Sequence, residues 1–151
     1  MISDIKLAAE SVEITAVVTN SDQQIDAQLN RVVRIEDLPI MLVSWDLESS
    51  VAFDEHGLLK NPRTKVVLLL MTKADKNVKD QKEDKAEEMA LLYLKFLKAL
   101  YARLIRYQVD TEPPITDAGY TLVPNHGAGQ HSGILGRFTM KTAITNCQTE
   151  E

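Results

Sequence analysis

An α+β domain, with an antiparallel sheet packed against one long helix, is the fold this chain of 151 residues predicts. Three observations carry that expectation. Residues 80–108 show helical periodicity over a stretch whose front is charged and whose back is strongly apolar. Two apolar runs of strand character, 40–47 and 65–72, come before it. Two more, 120–123 and 134–145, follow it between stretches of loop chemistry. The resulting order is helix, two strands, long helix, two strands. The length suits one domain spanning 1–151, and 44% hydrophobic with 26% charged residues is an ordinary globular composition.

Residues 1–20 carry mixed signals. Ser3 suits the cap of a short helix through Ile5, Ala8 and Ala9, whereas Val12, Ile14, Val17 and Val18 favour a strand. Ser21 or Asp22 then caps a helix whose Ile25, Leu29, Val32 and Val33 share one face. Pro39 disfavours helix at the residue before it and opens the first strand. Ser49 to Asp54 reads as extended, with Val51 and Phe53 on one face, and Glu55-His-Gly57 as a turn. The run 65–72 is apolar on both faces, as in a strand covered on both sides. It pairs with the first run as an antiparallel hairpin whose long tip lies near 54–63.

After the long helix, Pro113-Pro114 marks a loop over 109–119, because neither proline continues a helix. Residues 124–133 form a second loop. The last strand places Phe138 and Met140 on one face, together with Thr142 and Ile144, and a short acidic tail closes the chain at 147–151.

The long helix is wider in its apolar surface than a helix on a sheet requires. At roughly 100° per residue, Met89, Tyr93, Phe96, Leu100, Leu104 and Tyr107 form one stripe, flanked by Leu92 and Leu97. Ala90, Leu94, Tyr101 and Ile105 form a second beside it. The first stripe covers the sheet. The second is the candidate oligomer interface.

Net charge is −5, which argues against a surface that grips nucleic acid by counterion release. The single cysteine, Cys147, makes no intramolecular disulfide and points to synthesis in a reducing compartment. The start lacks the basic head and apolar body of a secretory signal. The longest aliphatic run, 66–71, is too short to span a bilayer. A soluble chain made in the cytosol is the expectation, with no membrane partner.

Three motifs hint at chemistry and none is complete. Thr72-Lys-Ala-Asp75 resembles a guanine-reading motif, but the phosphate loop it requires is missing from the sequence. His126-Gly-Ala-Gly-Gln-His131 has two imidazoles at a spacing that matches no zinc signature, and reads as a glycine-rich hairpin loop. Ser44, Ser49 and Ser50 near Asp46 and Asp54 have no nucleophile elbow around them. Asp46 and Glu48 share a strand face, as solvated acids commonly do, and Trp45 reads as a core or interface residue. No catalytic, cofactor-binding or metal-binding residue is assigned.

The element order resembles that of small virion proteins of tailed bacteriophages: tail-terminator, tail-completion and head–tail connector proteins. The matching stretches are the helix with Ile25, Leu29 and Val32, then Pro39-Ile-Met-Leu-Val43 and Lys65-Val-Val-Leu-Leu-Leu70. The helix through Ala86-Glu-Glu-Met-Ala-Leu-Leu92 and the strand Gly136-Arg-Phe-Thr-Met-Lys-Thr142 complete them. The likeness spans about 22–146 and is one of element pattern, without a specific motif. It implies a non-enzymatic structural protein that forms a homo-oligomeric ring at the neck or tail end of a virion assembled in the host cytoplasm. Partners would be further copies and neighbouring virion proteins, with DNA passing through the ring and no sequence-specific binding. Docking-loop candidates are Glu55, His56, Pro113, Pro114, His126 and His131. The alternatives are a cytosolic dimeric adaptor and a small enzyme using His126 or His131 with an acid.

Overall fold

In the computed structural model, residues 2–19, 39–44, 48–73, 81–106, 112–126 and 131–141 are described. The expected helix over 22–33 lies outside these residues, as do Trp45, Asp46, Tyr107, Thr142, Ile144 and Cys147. The fold is α+β. A helix α1 (Ile2–Ser11) and strand β1 (Thr15–Thr19) open the chain, followed by β2 (Ile40–Ser44), β3 (Glu48–Ser50) and β4 (Arg63–Lys73). The long helix α2 (Gln81–Ile105) leads into β5 (Ile115–His126) and β6 (His131–Lys141).

The mixed signals of the first 20 residues are two elements in succession. Ile5, Ala8 and Ala9 make the buried face of α1. The helix stops because Glu13 takes a left-handed backbone, φ 63°. Ile14 N–H then donates to Ala9 C=O at 2.9 Å, and Glu13 N–H to Glu10 C=O at 3.1 Å. These are the two bonds of a Schellman stop, here with glutamate at the position glycine usually takes. The β-branched residues that follow form β1.

The six-stranded sheet runs β1-β2-β4-β6-β5, with β3 paired to β4 beyond the end of β2. Every pairing is antiparallel except β1 with β2, which run parallel. A parallel pair needs a crossover connection, and residues 20–39 supply its length. The expected hairpin between the two apolar runs is present: Ile40 to Val43 face Met71 to Leu68.

The two described helices lie on one face of the sheet. Met41, Val43, Val66, Leu68, Leu70, Ile134, Phe138 and Met140 meet Met89, Tyr93, Phe96 and Leu100 of α2 and Ile5, Ala8 and Ala9 of α1 in one core. On the opposite face Ile40, Leu42, Leu69 and Met71 form a smaller buried cluster, against which Val17 and Val123 pack. The two-sided burial expected for 65–72 is therefore real for 68–71, whereas Lys65 and Val67 are exposed.

Two stretches expected to be loops are strand. The strand expected at 120–123 extends over 115–126, and the last strand begins at His131, inside the stretch expected as the second loop. The turn-like Asp117-Ala-Gly119 is absorbed by a bulge, where the register slips between Thr116 and Gly119 and Asp117 adopts φ 55°. A second register shift falls between Val123 and His126.

Glycine places α2. A Cβ on Gly136 would stand 2.9 Å from the Tyr93 ring and 3.1 Å from Leu68 Cδ1, so the tyrosine lies in a slot that only glycine leaves open. Gly136→Ala is expected to destabilise the fold by ~1–3 kcal/mol, as overpacking does, read as a lower urea midpoint at unchanged slope. Glu13→Gly should act in the other direction, raising stability by up to about 1 kcal/mol in the same assay, since it removes the left-handed strain of a side-chain-bearing residue.

Candidate functional site

The strongest functional feature is an uncovered apolar flank where α2 runs beside the edge strand β5. On α2, Met89, Tyr93, Phe96 and Leu100 are buried and Leu92, Leu97 and Leu104 pack against the core, as the first stripe requires. Of the second stripe, Leu94, Tyr101 and Ile105 are exposed at 48%, 40% and 46%. Ala90 departs from its expected place in the interface: it is 5% exposed and belongs to the core, because it lies closest on the helix wheel to the buried stripe. Leu91, 63% exposed, belongs to the flank and was not anticipated. The signal was present, since Leu91, Leu94, Lys98, Tyr101 and Ile105 repeat at the 3-4 spacing of a helix-pairing seam.

Which side of α2 this flank occupies follows from two contacts. Arg103 Nη2 reaches Asp4 Oδ1 of α1 at 3.4 Å, so α1 lies on the Arg103 side. Leu94, Tyr101 and Ile105 lie roughly 160–200° around the helix from Arg103, at about 100° per residue. On that side stands β5. Its Tyr120 ring meets Tyr93 edge-on, with centroids 6.2 Å apart, and Tyr120 and Leu122 are 42% and 44% exposed. β5 is an outer strand, paired with β6 alone among the described residues. Tyr120 and Leu122 lie in the stretch 120–123 expected as strand, but a strand pattern alone does not show that they stay exposed beside the helix.

Tyr93 fixes this arrangement. Its hydroxyl donates to Arg137 C=O at 2.9 Å, and its ring stacks near Phe96, which meets Phe138 edge-on. Burial raises the Tyr93 pKa well above the ordinary tyrosine value and outweighs the opposing pull of the Arg137 guanidinium.

A second apolar surface lies on the excursion between β3 and β4. Val51, Phe53, Leu58 and Leu59 are 60%, 67%, 66% and 49% exposed. The excursion is an ordered arm. Phe53 and Leu59 bridge as an antiparallel pair, and Lys60 N–H donates to Ala52 C=O at 2.9 Å. At its tip Asp54 Oδ1 accepts from the amides of His56 and Leu58, both at 2.8 Å, around Gly57 at φ 77°. Its root is tied to the sheet by Ser49 and Thr64, whose hydroxyls lie 2.8 Å apart. Arg63 reaches Glu112 at 3.0 Å and Thr116 at 3.3 Å.

The docking-loop candidates separate accordingly. Glu55 and His56 are at the exposed arm tip, their side chains 3.5 Å apart. Pro113 is exposed. Pro114 is buried, and its carbonyl accepts from Lys141 N–H at 2.9 Å, so it extends the sheet and is no docking residue. His126 and His131 stand opposite each other as the pair that closes the β5–β6 hairpin, and not in an open loop. His131 is 2% exposed, which removes it as a docking residue.

Among the described residues no three His, Cys, Asp or Glu side chains gather as a metal site, and no helix is long and apolar enough to cross a membrane. No protein-family model matches the chain, and no curated protein matches it.

The burial of Tyr93 has a pH signature. The unfolded chain loses this phenolic proton near pH 10 and the folded chain holds it to higher pH, so the folded state binds more protons above that point. Stability is therefore independent of Tyr93 below about pH 9 and falls as pH rises through 10 and beyond. In an ultraviolet tyrosinate titration, one of the four tyrosines should ionise only as the fold is lost, and Tyr93→Phe should abolish that late step.

Proposed function

We propose that this chain is a non-enzymatic structural protein of a phage virion, which assembles into a homo-oligomeric ring at the neck or tail end. The observation that carries the reading is the uncovered flank of α2, where Leu91, Leu94, Tyr101 and Ile105 stay exposed, as do Tyr120 and Leu122 on neighbouring β5. A cluster of large apolar side chains on one side of a small domain marks a surface that meets protein. The remaining support is the order of elements, in which two strands, a long helix and a closing strand pair build an antiparallel sheet under that helix. A net charge of −5 suits a passage that DNA crosses without sticking. Neighbouring virion proteins would meet the faces of the ring, and the chain would reach the virion from the host cytoplasm.

The competing reading, a cytosolic adaptor that dimerises through the same flank, differs in copy number and in partners. In sedimentation velocity, the wild-type chain is expected as a closed ring of one copy number. Leu94→Glu with Ile105→Glu should release monomers whose unfolding free energy stays within about 1 kcal/mol of wild type, because both positions are exposed. A wild-type chain that is monomeric alone and in the presence of neighbouring virion proteins contradicts the ring. A stable wild-type dimer favours the adaptor.

A further inference from the structure

Among the described residues, large apolar side chains cluster in the open on the arm at 51–59 and on the α2–β5 flank, and from them we infer that the arm of one copy seats on the flank of the next. This deepens the ring reading above and rests on it. The arm's four large apolar residues are among the most exposed of their kind among the described residues, so nothing described in its own chain covers the arm. The arm is nevertheless built, by the Phe53–Leu59 bridge, the Asp54 turn and the Arg63 contacts at its root. An ordered arm loses little conformational freedom on binding, which is what a preformed docking element requires.

Charge selects the seat. The arm tip carries Asp54 and Glu55, and the flank is bordered by the exposed cations Lys95, Lys98 and Arg106 of α2. The front of α2, with exposed Glu83, Asp84, Glu87 and Glu88, would repel the same tip. The arm is therefore directed to the rear half of the helix, where Leu94, Tyr101 and Ile105 are exposed. Phe53 is the anchor, an aromatic side chain with a charged surround that docks against leucine, isoleucine and tyrosine. The two surfaces differ, so the contact is head-to-tail, and a head-to-tail contact closes into a ring when its rotation allows. A second copy is the partner because one chain carries both halves, matched in apolar character, with acids at the arm tip and cations along the helix.

The test separates the two halves. Phe53→Asp with Leu59→Asp removes the arm, and Leu94→Glu with Ile105→Glu removes the flank, in full-length chains checked for native far-ultraviolet dichroism. If the aspartates disturb the fold, Phe53→Ser with Leu59→Ser takes their place. Each variant alone should associate about 30-fold or more weakly than wild type, the scale of a lost aromatic anchor. Mixed in equal amounts, they should form one-to-one pairs and nothing larger, because only one intact arm and one intact flank remain between them. An arm variant that assembles as wild type does, or a mixture that stays monomeric while the wild type forms rings, overturns the arm–flank contact and leaves the ring reading standing. A wild-type dimer that is lost in the arm variant and restored in the mixture keeps the contact and removes the ring. A monomeric wild type removes both.

Discussion

Tyr93 over Gly136 is the contact on which the exposed surface of this molecule depends. A helix lying on a sheet can roll about its own axis, and the direction of roll decides which side chains are buried. Here the roll is set by a ring held in a slot that a single Cβ would fill, and by a hydroxyl donating to Arg137 C=O. Phe96 and Phe138 extend the same aromatic row, and Arg103 with Asp4 holds the far flank against α1. The last contact is partly exposed and contributes at most about 1 kcal/mol. Its effect is to direct α1 to one side and leave the other side open. With the roll fixed, Leu94, Tyr101 and Ile105 have no position inside the chain, and their exposure is a consequence of packing elsewhere.

The sheet carries the same asymmetry. β2 is buried along its whole length, while β5 is an outer strand with Tyr120 and Leu122 half in solvent. The half of β4 that meets β2 is covered on both faces, and the half that leads to the arm is not. The molecule thus has one side, around β1, β2 and α1, on which Leu7 is the one exposed large apolar residue among those described, and a second side of exposed apolar residues along β5, α2 and the arm. Assembly through that second side would bury surface that the single chain leaves in water, at about 25 cal/mol per Å² of apolar area before the costs of association.

Much of this was legible in the sequence, for a physical reason in each case. The buried stripe of α2 could be read because a 3.6-residue repeat maps onto a helix with no further information, and the paired runs before it because β-branched and aliphatic stretches bounded by Pro39 and Pro62 have few other solutions. Ala90 was misplaced because a wheel angle alone does not say how wide the sheet-facing arc is, and a small side chain near its border falls inside it. Strand β5 was read short because Asp117-Ala-Gly119 has the composition of a turn, and a bulge uses the same residues without ending the strand. The arm's apolar face could not be seen as exposed, since Val51 and Phe53 alternate as the residues of a half-buried strand do. Only the exposure of Val51 and Phe53 shows that they pack on no layer beneath them.

In the proposed ring, copies meet along the open side. Hydrogen exchange, compared between the assembled chain and the arm variant, tests it most directly. Slower exchange in 51–59, along β5 and over the rear turns of α2, with no change in α1 or β1, is the predicted outcome. Equal exchange in the two samples, or protection appearing on the α1 side instead, would contradict it.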